Sequence, residues 1–167
     1  MVFLRSLFLC IGAGLLAAAA FGAELVPLKE FQLPAARWSP GKFGKITGDR
    51  IVIDVPAGAR SALNCADATV DLVPFRGQSL CFTIRARAWN VSTPRTWNGV
   101  KFMLNYRDAD GQEYWHHPSR LKGTFDWREV SFTCSISSSA QKGTLKLGLQ
   151  DSSGKVEFDL ASLKVYT

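Results

Sequence analysis

Helical patterning is what this sequence lacks most. Beyond Ala23, no window of about eleven residues places apolar side chains at i, i+3, i+4 and i+7 behind a capping residue. That excludes helical bundles and folds that layer helices on a sheet. No stretch repeats at a fixed period, which excludes propellers and solenoids. No Cys-x-x-Cys occurs, so zinc-ribbon and thioredoxin-like sites have no basis. Neither Gly-x-Ser-x-Gly nor a phosphate-cradling glycine loop is present. Histidine is scarce: the two residues are adjacent, His116 and His117. Neighbours on an extended chain point to opposite sides, and no carboxylate or thiolate stands at an accepted ligand spacing. The net charge is +6, yet no run of four or more Lys or Arg occurs. The clustered basic stripe that nucleic-acid binding requires is therefore missing, and the charge reads as a solvated surface with weak, nonspecific attraction for acidic polymers.

What is there begins with a segment that is not fold. Met1 to Ala23 reads MVFLRSLFLCIGAGLLAAAAFGA, a single Arg followed by an apolar run. The run from Leu7 to Ala20 is too short to span a bilayer comfortably, and Ala20-Phe21-Gly22 fits a small-x-small cleavage pattern. Residues 1–22 are expected to be a secretory signal, and residues 23–167 one domain, secreted or periplasmic and free of the membrane after cleavage. Cys10 lacks the small residues that a lipoprotein signal carries ahead of its cysteine. Cleavage would leave about 145 residues, enough for one core. Three of the four cysteines would remain, Cys65, Cys81 and Cys134, and an odd number leaves at least one unpaired.

Strand signals recur through the rest of the chain. Ile51–Val55 is β-branched and ends at Pro56; Ala68–Leu72 stops before Pro74. Leu80–Trp89, Val100–Tyr106, Trp127–Ile136 and Leu145–Leu149 alternate, and Val156–Tyr166 closes the chain. Asp108-Ala109-Asp110-Gly111 and Asp151-Ser152-Ser153-Gly154 supply turns. The first of these opens like a calcium loop, but its Gly comes two positions too early for an EF-hand, so it reads as a hairpin. Asn90-Val91-Ser92 matches an N-glycosylation pattern, meaningful only in a eukaryotic secretory host. Seven or eight strands without helices predict an all-β, two-sheet antiparallel sandwich.

Alternation also assigns faces. Phe82, Ile84, Ala86 and Ala88 form one apolar set; Val100, Phe102, Leu104 and Tyr106 another; Val130, Phe132, Cys134 and Ile136 a third. The opposite faces carry Arg85, Arg87, Trp89, Lys101, Met103, Asn105, Lys146 and Gln150. One face of several strands is therefore core, and the other mixes guanidinium, amide and indole groups.

Three stretches, WNGVKFMLNYRDADGQEYW, GTFDWREVSFTCSI and GTLKLGLQDSSGKVEFDLASLKVY, resemble the jelly-roll carbohydrate-binding modules of the galactose-binding-like superfamily. In particular they are similar to modules N-terminal to family 5 glycoside hydrolases of the cellulase type, and DLVPFRGQSLCFTIRARA fits the same pattern. The resemblance runs from about Ile46 to Tyr166. It implies an eight-stranded jelly roll with a polysaccharide or oligosaccharide ligand on one sheet or at its loop edge, and a glycoside hydrolase domain as a partner. In the strand order it implies, Leu80–Trp89, Val100–Tyr106 and Leu145–Gln150 share a sheet. The same order sets the Cys65 strand beside the Cys134 strand, which makes a Cys65–Cys134 disulfide the implied pairing. Relatives end in an aromatic-x-Asp-Asp segment. Here the segment is Phe158-Asp159-Leu160-Ala161, so Asp159 is a weak candidate for structural calcium and no other cofactor is expected.

Sugar binding combines a ring face for the C–H side of a pyranose with polar groups for its hydroxyls. The candidates are Trp89, Trp97, Tyr114 and Trp115 as platforms, and Arg87, Asn105 and Gln150 as hydrogen-bonding groups. One of Tyr114 and Trp115 must face outward on an extended chain. Trp38 is expected to cover an end of the sandwich, and Trp127 to be structural. Glu24, Glu30, Glu113, Glu129 and Glu157 stand in no recognisable catalytic setting, so the expectation is a noncatalytic module. The rival expectation is a structural or protein-interaction jelly roll whose polar face packs on a partner domain.

Overall fold

The computed structural model describes residues 26–59, 62–118 and 121–167. The expected signal segment 1–22, with Cys10, and the boundary at residue 23 lie outside the described residues. Nine strands and three single 3-10 turns were found there: β1 Gly44–Thr47, β2 Arg50–Val55, β3 Leu63–Asp71, β4 Ser79–Val91, β5 Gly99–Arg107, β6 Glu113–His116, β7 Gly123–Ser135, β8 Lys142–Gln150 and β9 Gly154–Tyr166. Among the described residues no helix is long and apolar enough to cross a membrane.

The strands form two antiparallel sheets, β1-β2-β9-β4-β7 and β3-β8-β5-β6, the two layers of a jelly-roll sandwich. Period-two alternation drives the layering, because each ribbon has one apolar side to hide. From β4, Phe82, Ile84, Ala86 and Ala88 are fully buried; from β5, Phe102 and Leu104; from β8, Leu145, Leu147 and Leu149. Phenylalanines tie the layers together. Phe82 and Phe132 of the five-stranded sheet stack at 4.7 Å, and Phe102 of the other sheet meets Phe132 edge-on at 5.0 Å. Each such ring removes enough apolar area from water to contribute about 2–3 kcal/mol. Trp38 is 4% exposed and donates its indole N–H to the Leu33 carbonyl at 3.2 Å. It is part of the buried core cluster.

Two expectations about strand placement are corrected. β4 does not share a sheet with β5 and β8; it is hydrogen-bonded between β9 and β7 in the five-stranded layer. Arg87 and Trp89 therefore lie on the opposite side of the molecule from Asn105 and Gln150. Cys65 and Cys134 are likewise not neighbours. β3 pairs with β8, whereas β7 pairs with β4. By alternation Cys65 lies on the outer side of its sheet, while Cys134 faces the core, so a sheet thickness separates them. Cys65, Cys81 and Cys134 are all free thiols.

The hairpin joining β5 to β6 turns on Asp108. Its Oδ1 accepts from the Asp110 and Gln112 amides, and its Oδ2 from the Tyr114 and Ser137 hydroxyls. Burial by itself would raise its pKa. The bonds from Ser137, Gln112, Tyr114 and Asp110 outweigh that and hold it below the ordinary carboxylate value. The turn therefore satisfies its carboxylate with protein donors, as a hairpin.

Candidate functional site

The outer face of the four-stranded sheet is built in cross-strand rows. One row runs Thr69–Thr144–Asn105–Trp115 across β3, β8, β5 and β6. The next runs Asp67–Lys146–Met103, the next Cys65–Gly148–Lys101, and the last Leu63–Gln150–Gly99. Strands lie about 4.8 Å apart, so the first row is roughly 14 Å wide; Asn105 and Lys101 are about 13 Å apart along β5. The area suits a short stretch of extended chain. Its floor is largely closed to water: Met103 is 1% and Lys101 2% exposed, although both stand on the outer side.

The two strongly exposed tryptophans border this face. Trp115, 49% exposed, stands at the end of the first row, and Trp97, 52% exposed, lies on the loop that enters β5. Lys101 Nζ donates to the Trp97 carbonyl at 2.6 Å, which ties that loop to the sheet. Gly99 lies at φ +116°, and a Cβ there would collide with the Leu121 carbonyl, the acceptor of the Val100 amide at 2.9 Å. Only glycine lets the chain entering β5 approach Leu121 so closely. Between them is a pocket of about 200 Å³ lined by Thr96, Trp97, Asn98, Lys101, His117 and Leu121, among others.

Hydrogen bonds fix the polar groups. Asn105 donates its amide to the Tyr114 carbonyl at 3.0 Å, which holds its position beside Trp115. Lys146 pairs with Asp67 at 2.6 Å. Burial pushes the Lys101 ammonium below the usual lysine range, against the pull of Cys65 and Asp151. The Cys65 thiol is pushed up to about 12, by burial first and by Asp67 second.

Tyr114 faces the other way. Its ring stacks on Tyr106 at 4.7 Å and its hydroxyl donates to Asp108. The platform role expected of it is not open to it, because alternation gave the outward position to Trp115. His116 also turns inward, at 5.8 Å from the Tyr114 ring, while His117 Nδ1 meets the Pro118 carbonyl at 2.8 Å. Asp159 sits on β9 in register with Arg50 and Arg85. Among the described residues no group of three or more His, Cys, Asp or Glu is placed to hold a metal.

Arg87 and Trp89 belong to a separate construction on the five-stranded sheet. Between Ala86 and Ala88, β7 carries one residue more than β4, a bulge that includes Trp127. The groups then interleave. Lys155 lies 4.9 Å from the Trp89 ring, Arg87 is 4.7 Å from Trp89 and 4.8 Å from Trp127, and Arg50 is 5.0 Å from Trp127. Glu157 accepts from Arg87 at 2.7 Å and meets Lys155 at 3.0 Å and Arg50 at 3.8 Å. Burial opposes its ionisation, but the Arg87 and Lys155 bonds prevail and depress its pKa. Two cations lie against Trp89 and three, Arg85 at 5.9 Å included, against Trp127, which leaves this ladder poorly suited to stack a sugar; Trp97 has the single cation Arg95 against it and stays 52% exposed. The 530 Å³ hollow between Leu28, Leu33, Leu160 and Leu163 has no aromatic side chain among its described lining residues.

Of the residues singled out in the sequence, the structure gathers Trp97, Asn105, Trp115 and Gln150 on one face and leaves Arg87, Trp89 and Tyr114 elsewhere. Thr69, Thr144 and Asp67 were missed. Alternation through Cys65, Asp67, Thr69 and Asp71 was the available signal, but the strand was expected to start only at Ala68.

No family model matches the sequence, and no curated protein matches it. Solved structures do share its fold. The C-terminal family 22 carbohydrate-binding module of Clostridium thermocellum Xyn10B is 15% identical, with a TM-score of 0.56 over 83% of this chain and 89% of that one. The CBM22-1 xylan-binding domain of Paenibacillus barcinonensis Xyn10C is 10% identical, with a TM-score of 0.52 over 82% and 90%. The CBM22-1–GH10 modules of Clostridium thermocellum Xyn10B, complexed with xylohexaose, match at 14% identity and a TM-score of 0.54, over 82% of this chain and 27% of that one. At such identities the likeness is one of fold: the jelly-roll sandwich used by carbohydrate-binding modules. The association with family 5 cellulases implied by the sequence resemblance is not supported, since these neighbours come from xylanases.

Proposed function

We propose that this chain is a secreted or periplasmic, noncatalytic carbohydrate-binding domain that holds a β-glycan of the xylan type across the outer face of its four-stranded sheet, beside a glycoside hydrolase domain. The observation that carries this reading is the pair of exposed indoles, Trp97 and Trp115, at the borders of a face whose rows offer Thr69, Thr144, Asn105 and Gln150. The rings would cover the C–H sides of two pyranoses, and the amides and hydroxyls would meet their hydroxyl groups. The xylan-binding neighbours share the fold and point to the same class of ligand.

Affinity electrophoresis in soluble xylan, β-glucan and mannan tests this directly. Retardation in xylan that disappears in Trp97→Ala and Trp115→Ala is the expected outcome. A second reading has one observation in its favour. The Trp89–Arg87–Trp127 ladder has the Trp and Arg composition of protein-interaction hot spots, which suits a domain packed on a partner. Absence of retardation in all three glycans would favour that reading.

A further inference from the structure

The loop between β4 and β5 brings together cations that are far less conspicuous in the sequence. A second pocket, of about 570 Å³, lies along this loop and is lined by Thr93, Pro94, Arg95, Thr96, Asn98 and Lys122. It shares Thr96 and Asn98 with the pocket beside Trp97, so the two adjoin and are treated together as one hollow. Its described lining residues include Arg95, Lys101 and Lys122 and no carboxylate; Asp151 stands behind Asn98, whose amide it accepts, and attracts Lys101. Neither Arg95 nor Lys122 forms an ion pair among the described residues, and both are exposed. Arg95 leans over the Trp97 ring at 5.5 Å, so a guanidinium fork and an indole are presented together. Asn98 is 5% exposed. Its amide donates to Asp151 Oδ2 at 3.3 Å, which fixes its orientation and leaves its buried Oδ1 without a partner among the described residues.

Thr93, Thr96 and Asn98 can meet the hydroxyls of a sugar here, and Arg95 and Lys122 add two exposed cations beside them. An exposed guanidinium and ammonium beside a ring, neither paired with a carboxylate among the described residues, select a ligand that carries both a pyranose and a negative charge. We infer that this hollow is a subsite for a carboxylate-bearing sugar, a uronate attached to or within the bound glycan, with Arg95 and Lys122 on its carboxylate and Trp97 against its ring. The inference rests on the glycan reading of the adjoining face, and it adds a charge preference that the face alone does not have. The four cations of the Trp89–Trp127 ladder provide no comparable selectivity. Glu157 is bonded within them, and Glu129 and Asp159 flank Arg85 in the register.

Isothermal titration separates the two levels. Neutral xylo-oligosaccharides, the same oligosaccharides bearing glucuronate, and free glucuronate are titrated into the wild type, Lys122→Met and Arg95→Met at low and high salt. The uronate-bearing ligand is expected to bind about fivefold more tightly than the neutral one at low salt, as one screened charge contact allows, and to lose that margin at high salt. Lys122→Met should abolish the margin and leave neutral binding unchanged; Arg95→Met should abolish the margin as well. Equal affinity for both oligosaccharides in the wild type overturns the subsite while the glycan reading stands. Failure of every neutral ligand sinks the glycan reading, whereas glucuronate binding lost in Lys122→Met would still uphold the hollow. Inorganic phosphate displacing glucuronate at equal concentration would overturn the sugar assignment in favour of an indifferent anion site.

Discussion

Trp115→Ala is the substitution whose cost follows most directly from the structure. About half of this residue is exposed, 49%. A tryptophan can bury up to about 250 Å², so roughly 120 Å² of Trp115 is available, and a pyranose lying on the ring would cover about 80 Å² of it. At about 25 cal/mol per Å² the lost contact is close to 2 kcal/mol, or roughly a 30-fold weaker dissociation constant. The costs of ordering the ligand are shared by both proteins and largely cancel. The fold should not register the change. Trp115 lies on the edge strand β6 and points outward, so the melting temperature should stay within about 2 °C of wild type. Calorimetry with a xylo-oligosaccharide gives the affinity, and a thermal melt gives the control. A variant that melts normally and binds within about twofold of wild type would refute the platform role.

Three further outcomes follow from other parts of the molecule. Gly148→Ala would drive a Cβ into the Asn64 backbone and to 2.6 Å from Cys65 Cα, between β8 and β3; a loss of about 3 kcal/mol, or roughly 10 °C in melting temperature, is expected. Glu157 is ionised more readily in the folded chain than at its ordinary value of 4.5, so its contribution is present above that value and is lost as the pH falls through the lower, folded one. Glu157→Gln should therefore cost about 1–2 kcal/mol at neutral pH, and its gap to wild type in denaturant melts should narrow on acidification below about pH 4; a gap that widens would contradict the ion cluster. A chain starting at Ala23 should show three reactive thiols after denaturation without reductant. In the native state Cys65 and Cys134, both pushed up to about 12 with burial as the leading cause, should react far more slowly than the half-exposed Cys81. Fewer than three would restore the disulfide.

Much of the fold was legible because a strand writes its layer into alternate residues. Leu80 to Trp89 announced β4 and its core face, and Val100 to Tyr106 did the same for β5. β1 was missed: Gly44 to Thr47 is only four residues long and alternation has no room to show. Sheet membership was not legible, because alternation tells which side of a ribbon is apolar and says nothing about which ribbons are hydrogen-bonded together. The strand order implied by the family resemblance filled that gap, and it produced both the supposed surface joining Arg87 to Asn105 and the supposed Cys65–Cys134 bridge. Trp97 was singled out because it sits in a turn-rich loop; for Tyr114 and Trp115 the sequence showed only that one must face outward, and the structure gives that position to Trp115. The ladder was not foreseen, since it depends on a bulge in β7 that carries Trp127 over the Arg87 guanidinium.

The central claim is that ligand meets the indoles of one face alone. Nitrogen–proton correlation spectra of the labelled protein resolve each tryptophan indole N–H, and titration with xylo-oligosaccharide reads all five at once. Trp97 and Trp115 should shift in a saturable manner, while Trp38 in the core and Trp89 and Trp127 on the opposite sheet stay in place. Shifts confined to Trp89 and Trp127, or none at saturating ligand, would contradict the account.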